Sequence, residues 1–203
     1  MSLNSLPDEI TITPVKGPIQ GRVRAPGSKS ITNRAVICAA LAHGTSQIVG
    51  ALDSDDTRIM IDGLKSLGFN VDADWNKQTL SIHGSGGLIP NSQASIDCQA
   101  SGTTMRFLTA LVSIGHGQYV LDGTARMRQR PIGDLLNALR TLGVEAEAGS
   151  RGECPPVTIR SDGVTNAEAC IQSTTSSQFA SGLALVAPCM PEGLSLELTG
   201  TLV

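Results

Sequence analysis

The residues best suited to chemistry in this chain are cations set beside small hydroxyl residues. Lys29 lies within Gly27-Ser-Lys-Ser30 and Arg34 follows shortly after; Arg106 closes Ser101-Gly-Thr-Thr-Met-Arg106. A third run, Ser173-Thr-Thr-Ser-Ser177, precedes Gln178, and Arg126, Arg128 and Arg130 crowd a loop ending at Pro131. Serine and threonine at such places are ordinary helix caps. Their recurrence adds a second reading. If the runs are related by rotation, three helix N-termini meet, and their free N–H groups and dipoles favour an anion there. About four or five charge-assisted bonds, each worth about 1.5–3 kcal/mol, would hold a doubly anionic ligand against water. Pro131 reads as the first residue of a helix, which would aim Arg130 just before it. Arg126 and Arg128 also fit a plain solvated loop.

Other chemistries find less support. Gly27-Ser-Lys-Ser30 lacks the upstream glycine of a nucleotide-triphosphate loop, and no GxGxxG occurs. His43, His83 and His116 stand apart beside glycines, so no metal or catalytic role is expected of them. The acidic run Asp53-Ser-Asp-Asp56 would suit Mg²⁺ but reads better as the cap of a helix beginning near Thr57.

The elements that must position these residues repeat. Ser30 opens an apolar run from Ala35 to Ala42, Ser101 one from Phe107 to Ile114, and Thr175 one from Phe179 to Ala187. Each run leads into a strand-like stretch: Ser46–Val49, Tyr119–Leu121 and Leu194–Leu198. Such self-similarity at a long period marks a domain assembled from related units. A second helix recurs over Thr57–Gly68 and Pro131–Gly143, each ending on a glycine suited to a left-handed cap. Alternating stretches follow, Phe69–Val71 with Leu80–Ile82 and Val144–Ala146 with Val157–Ile159. One unit therefore reads strand-helix-strand-helix-strand-strand. Its first helix is apolar nearly all round and should be buried, whereas its second is amphipathic. The third unit stops at Val203 before any second helix, which reads as a truncation that leaves an apolar edge exposed and prone to aggregation.

Composition limits the partners. The chain has 203 residues, 40% of them hydrophobic and 16% charged, enough for a packed core. Aromatics are 2%, so that core must be built from Ala, Leu, Ile and Val. A net charge of -3 argues against sequence-independent nucleic-acid binding, which needs a basic face. No stretch approaches the length of a membrane span, and the first residues do not form a signal peptide. The five cysteines are scattered without a CxxC pair, which fits reduced thiols in a cytoplasmic protein.

Four blocks carry a resemblance. Ala25-Pro-Gly-Ser-Lys-Ser-Ile-Thr-Asn-Arg34, Ser101-Gly-Thr-Thr-Met-Arg106, Arg126-Met-Arg-Gln-Arg-Pro-Ile-Gly-Asp134 and Ser176-Ser-Gln-Phe179 resemble, in order, the signatures of the 5-enolpyruvylshikimate-3-phosphate synthase family. The resemblance implies an α/β fold: an inside-out, barrel-like domain of three repeats (the enolpyruvyl transferase fold), here with its third repeat truncated. Residues 1–12 are then an N-terminal tail and 13–203 the N-terminal domain, incomplete at its C-terminal end, with the second domain absent.

The implied activity is transfer of the enolpyruvyl group from phosphoenolpyruvate to the 5-hydroxyl of shikimate 3-phosphate, in the shikimate pathway of aromatic amino acid and chorismate biosynthesis. Phosphate leaves through a tetrahedral intermediate, with no metal or organic cofactor. By the same resemblance, Lys29 contacts phosphoenolpyruvate near the transferred group, and Gly102 and Arg130 help hold that substrate. Ser30 and Arg34 hold the shikimate moiety, Ser176 and Ser177 its phosphate, and Gln178 lies between the two substrates. The family often has Asn where this chain has Ala100, and its acid/base carboxylates lie in the other domain. This length of chain alone is therefore expected to be inactive, and the full-length protein a monomer. The sibling transferase acting on UDP-N-acetylglucosamine generally follows its lysine with asparagine and carries a cysteine where this chain has Ala125; here Ser30 follows Lys29. A non-catalytic anion-binding module is the remaining alternative.

Overall fold

A computed structural model describes residues 9–150, 152–172 and 176–200. The middle unit carries the whole expected pattern: β4 (Gln93–Asp97), α3 (Gly102–Val112), β5 (His116–Asp122), α4 (Gly133–Thr141), β6 (Glu145–Ser150) and β7 (Cys154–Asp162). Its sheet runs β4-β5-β7-β6, with β4 and β5 parallel and the other pairs antiparallel. The unit before it comprises α1 (Lys29–Leu41), β1 (His43–Val49), α2 (Asp55–Ser66), β2 (Asn70–Asp74) and β3 (Thr79–Ser85), with sheet order β1-β3-β2. The last unit contributes β8 (Glu168–Gln172), α5 (Ser177–Val186) and β9 (Ser195–Thr199), the two strands again parallel.

One expectation fails in the first unit. Among the described residues no strand precedes α1; residues 9–28 form neither helix nor strand, and Ile12, Ile19 and Val23 are largely exposed. The edge of β1 that corresponds to the β4 side of β5 is therefore bare. A parallel strand is held by its ladder and by what covers its faces; residues 9–26 are exposed, so no packing holds them against that edge.

The first helices form the interior, as expected from their composition. Val36, Ile37 and Ala40 of α1, Leu108 and Leu111 of α3, and Phe179 and Leu183 of α5 are fully buried or nearly so. Small residues let the helices approach: a β-carbon on Gly182 of α5 would lie 3.2 Å from Ala110 Cβ and 3.4 Å from the Arg106 carbonyl of α3. The amphipathic helices fill the gaps, α2 against α1 and α3, and α4 against α3 and α5. Gly68 and Gly143 end their turns at φ 90° and 89°, the left-handed caps the sequence called for. Burial all round holds only for α3. Among the described residues no such helix lies between α5 and α1, and Ile31, Cys38 and Ala184 are exposed there. No helix among the described residues is long and apolar enough to cross a membrane.

Candidate functional site

Each first helix is capped by a serine. Ser28 Oγ accepts the Ile31 N–H (3.4 Å), Ser101 Oγ the Thr104 N–H (3.3 Å), and Ser176 Oγ the Gln178 N–H (3.3 Å). Capping thus occupies one hydroxyl at each start, and the remaining N–H groups of the first turn point outward. Residues 173–175 of the third run lie outside the described residues.

Side chains then stitch the starts together. Arg106 Nη1 of α3 donates to Gln178 Oε1 of α5 (2.8 Å), and Gln178 Nε2 donates to Thr103 Oγ1 (3.2 Å). Arg34 of α1 donates to Ser181 Oγ of α5 (3.3 Å) and to its own helix start at the Ser30 carbonyl (3.0 Å). Ser181 in turn donates to the Ser177 carbonyl (3.0 Å). Both guanidinium groups also lie over aromatic rings, each 5.2 Å from the centroid: Arg34 over Phe107 and Arg106 over Phe179. Lys29 Nζ meets Asp56 Oδ2 of α2 at 2.6 Å. All eight residues singled out in the sequence (Lys29, Ser30, Arg34, Gly102, Arg130, Ser176, Ser177 and Gln178) therefore belong to, or directly adjoin, one set of joined helix starts.

The loop before α4 sorts its arginines by partner. Buried Met127 pins a short 3₁₀ turn, Met127–Gln129, and Arg128 is neutralised by Asp122 through bonds of 2.9 and 2.5 Å. Arg130 turns the other way, towards α3. A β-carbon on Gly102 would lie 2.9 Å from Arg130 Nη1 and 3.0 Å from Arg106 Nη1, so a side chain there would displace the guanidinium groups from their present places. The expected place of Pro131 needs correction: α4 begins at Gly133, with Ile132 as its cap residue. Ile132 N–H is taken by the Glu153 carbonyl (2.8 Å), which keeps Pro131 and Ile132 out of the helix. Proline still acts on Arg130, by forcing the preceding residue into extended backbone, φ -98° and ψ 116°.

Electrostatics mark the cluster as cationic with one embedded carboxylate. Burial, then the charge of Arg130, pulls the Arg106 guanidinium below its ordinary pKa. For Asp56, burial acts upward, but hydrogen bonds from Lys29 and Ser101 and the charges of Lys29 and Arg130 outweigh it and hold the carboxyl low. The site is an open face: the hollow between Gly102, Arg106 and Arg130 holds only about 10 Å³. A larger hollow of about 530 Å³ lies at the opposite helix ends, lined by Leu41, Ile114, His116 and Pro188 among others. Helix C-termini disfavour an anion, so the smaller, cationic face is the better candidate. No group of three or more potential metal ligands occurs among the described residues. Sequence reasoning named Arg106 without giving it a role and missed Thr103, Ser181 and the reach of Asp56. Only Ser181, one helical turn after Ser177, left a signal in the spacing.

The fold and this set of joined helix starts define an α/β domain of the enolpyruvyl transferase type. EPSP synthase from Acinetobacter baumannii superposes with a TM-score of 0.78, covering 89% of this chain and 41% of that one at 26% identity. The sequence profile of EPSP synthase (3-phosphoshikimate 1-carboxyvinyltransferase) matches residues 14–203, and the chain belongs to that family. The 3-phosphoshikimate 1-carboxyvinyltransferase of Rhizobium etli is 44% identical over 193 residues, 95% of this chain and 45% of that protein. That of Nostoc punctiforme is 39% identical over 196 residues, 97% of this chain and 46% of that protein. The chain thus spans about half the length of the curated relatives it matches.

Proposed function

We propose that these residues form the N-terminal substrate-binding half of a cytoplasmic transferase that moves the enolpyruvyl group of phosphoenolpyruvate to the 5-hydroxyl of shikimate 3-phosphate. The observation that carries this reading is the meeting of three serine-capped helix starts with Lys29, Arg34, Arg106 and Arg130. Two substrates bearing phosphate and carboxylate groups repel one another, and fixed cations offset that repulsion. In the reaction the 5-hydroxyl gives up its proton as its oxygen bonds to C2 of phosphoenolpyruvate, and C3 gains a proton. The phosphate C–O bond of that tetrahedral intermediate then breaks, and C3 gives a proton back. Charge develops at C2 and on the leaving phosphate, where pre-placed charges act most strongly.

In this reading Lys29, Gly102 and Arg130 serve phosphoenolpyruvate, with Lys29 nearest the transferred group. Ser30 and Arg34 hold the shikimate ring, Ser176 and Ser177 its phosphate, and Gln178 lies between the substrates. Its tie to Thr103 and Arg106 supports a fixed position for that amide. The carboxylates that move protons would come from a second domain, so residues 1–203 alone would not turn over.

The test is phosphate release from phosphoenolpyruvate by the full-length protein, offered shikimate 3-phosphate or UDP-N-acetylglucosamine. Release only with shikimate 3-phosphate is expected, and Lys29→Met should abolish it. Release only with the sugar nucleotide would assign the sibling activity, and near-normal turnover of Lys29→Met would remove Lys29 from the mechanism.

A further inference from the structure

The cation cluster contains a carboxylate that the proposed anionic ligands would repel. Asp56 is the second residue of α2, and that helix does not need it as a cap. Ser54 Oγ accepts the Thr57 N–H (3.4 Å) and Thr57 Oγ1 accepts the Ser54 N–H (3.0 Å), which completes a capping box. The nearby Asp53 is engaged by Arg58 of the same helix at 2.6 and 2.9 Å. Asp56 instead reaches away from its own helix to Lys29 Nζ, 2.6 Å distant and 27 residues earlier in the chain. Thr104 Oγ1 donates to the Asp56 carbonyl at 3.5 Å, which ties the same turn to the start of α3.

Stability does not account for the arrangement. The Lys29 and Asp56 side chains keep 47% and 27% of their exposure, and ion pairs this open add little to folding. Direction is what the pair supplies. A lysine ammonium rides on a flexible stem, and without a partner it samples many positions. We propose that Asp56 is a positioning residue for enolpyruvyl transfer: it holds the Lys29 ammonium where charge develops as the substrates react. The proposal rests on the functional reading above. Burial acts upward on the Asp56 carboxyl, but the hydrogen bond from Lys29, that from Ser101 and the charges of Lys29 and Arg130 together hold it below its ordinary range.

Removing the carboxylate has two opposed consequences. Repulsion against a bound anion falls, which favours the ground-state complex. Lys29 also loses its fixed direction, which is felt mainly in the transition state. This predicts a split between kcat and KM that a merely structural residue would not produce.

The experiment compares wild type, Asp56→Asn and Asp56→Glu in the full-length protein, with kinetics in both substrates and thermal melting. For Asp56→Asn, kcat should fall on the order of 10²-fold while KM for phosphoenolpyruvate stays level or drops. Asp56→Glu keeps the charge on a longer arm and should give an intermediate kcat, with both variants melting close to wild type. A wild-type kcat in Asp56→Asn overturns the proposal. So does an equal kcat loss in both variants with raised KM and lowered melting temperature, which would mark Asp56 as structural. Should Asp56→Asn fail to fold, Asp56→Glu decides: reduced kcat at unchanged KM supports positioning, and wild-type kcat overturns it. An inactive wild type would overturn the functional reading and this inference together, whereas an active wild type with an unaffected Asp56→Asn overturns this inference alone.

Discussion

Gly102 sits between two guanidinium groups, and that crowding accounts for much of the local electrostatics. Arg106 and Arg130 approach closely enough for burial and mutual repulsion to depress the Arg106 pKa. The scaffold holds these like charges together, through Arg106 on Gln178 and Phe179. An anion placed among them would relieve the repulsion. The buried thiol of Cys98 shows the opposite regime. Burial, with smaller contributions from Asp97 and Asp122, pushes its pKa up to about 12. At neutral pH it is an uncharged thiol and a poor nucleophile. Alkylation followed by mass spectrometry should therefore label exposed Cys38 and Cys170 first and reach Cys98 only on unfolding. Equal labelling of Cys98 in the native protein would contradict its burial.

The helices, more than the sheets, decide where the site residues stand. The amphipathic α2 must lie close to α3 for Asp56 to reach the joined helix starts, and Gly63 permits that approach. A β-carbon there would run into Leu108 Cδ1 and lie 3.3 Å from Ile96 Cγ2, both fully buried. Gly63→Ala should cost about 1–3 kcal/mol by overpacking, despite alanine's better helix propensity. In a chain of this size each kcal/mol lowers the melting temperature by about 2–4 °C, which calorimetry resolves. A variant as stable as wild type would show that α2 can shift without loss. The capping box at Ser54 belongs to the same scale: it starts α2 at a fixed residue and so fixes which carboxylate faces Lys29.

In the molecule as a whole, the three units share one interior but not equal cover. Among the described residues two amphipathic helices lie between neighbouring first helices and none covers the face between α5 and α1, where Ile31 is 69% exposed. Among the described residues no strand pairs with the outer edge of β1, where Val49 is also exposed, and Leu198 of β9 adds exposed apolar surface. Such surfaces drive association. A preparation of residues 1–203 should therefore show concentration-dependent light scattering and bind an apolar dye. A monodisperse, cooperatively melting monomer would contradict this expectation.

Local signals made much of this legible in the sequence. The apolar runs, the glycine caps at Gly68 and Gly143 and the hydroxyl-rich starts are set by interactions within a few residues, so the helices and the repeat could be read directly. The meeting of three helix starts followed from treating the units as related by rotation, whereas Gly102, Arg130 and Gln178 are singled out by the family resemblance. The place of Pro131 could not be read locally, because the Glu153 carbonyl that captures Ile132 comes from a distant turn. The strand expected before α1, absent among the described residues, likewise depends on contacts between segments, since a strand needs both a ladder and packing on its faces. The same holds for Asp56: its sequence neighbourhood describes a helix start, and only the packing of α2 against α1 and α3 brings its carboxylate to Lys29. Elements follow from short-range chemistry and are written in the chain, whereas pairings across 27 residues or more are settled by which surfaces the fold brings into contact.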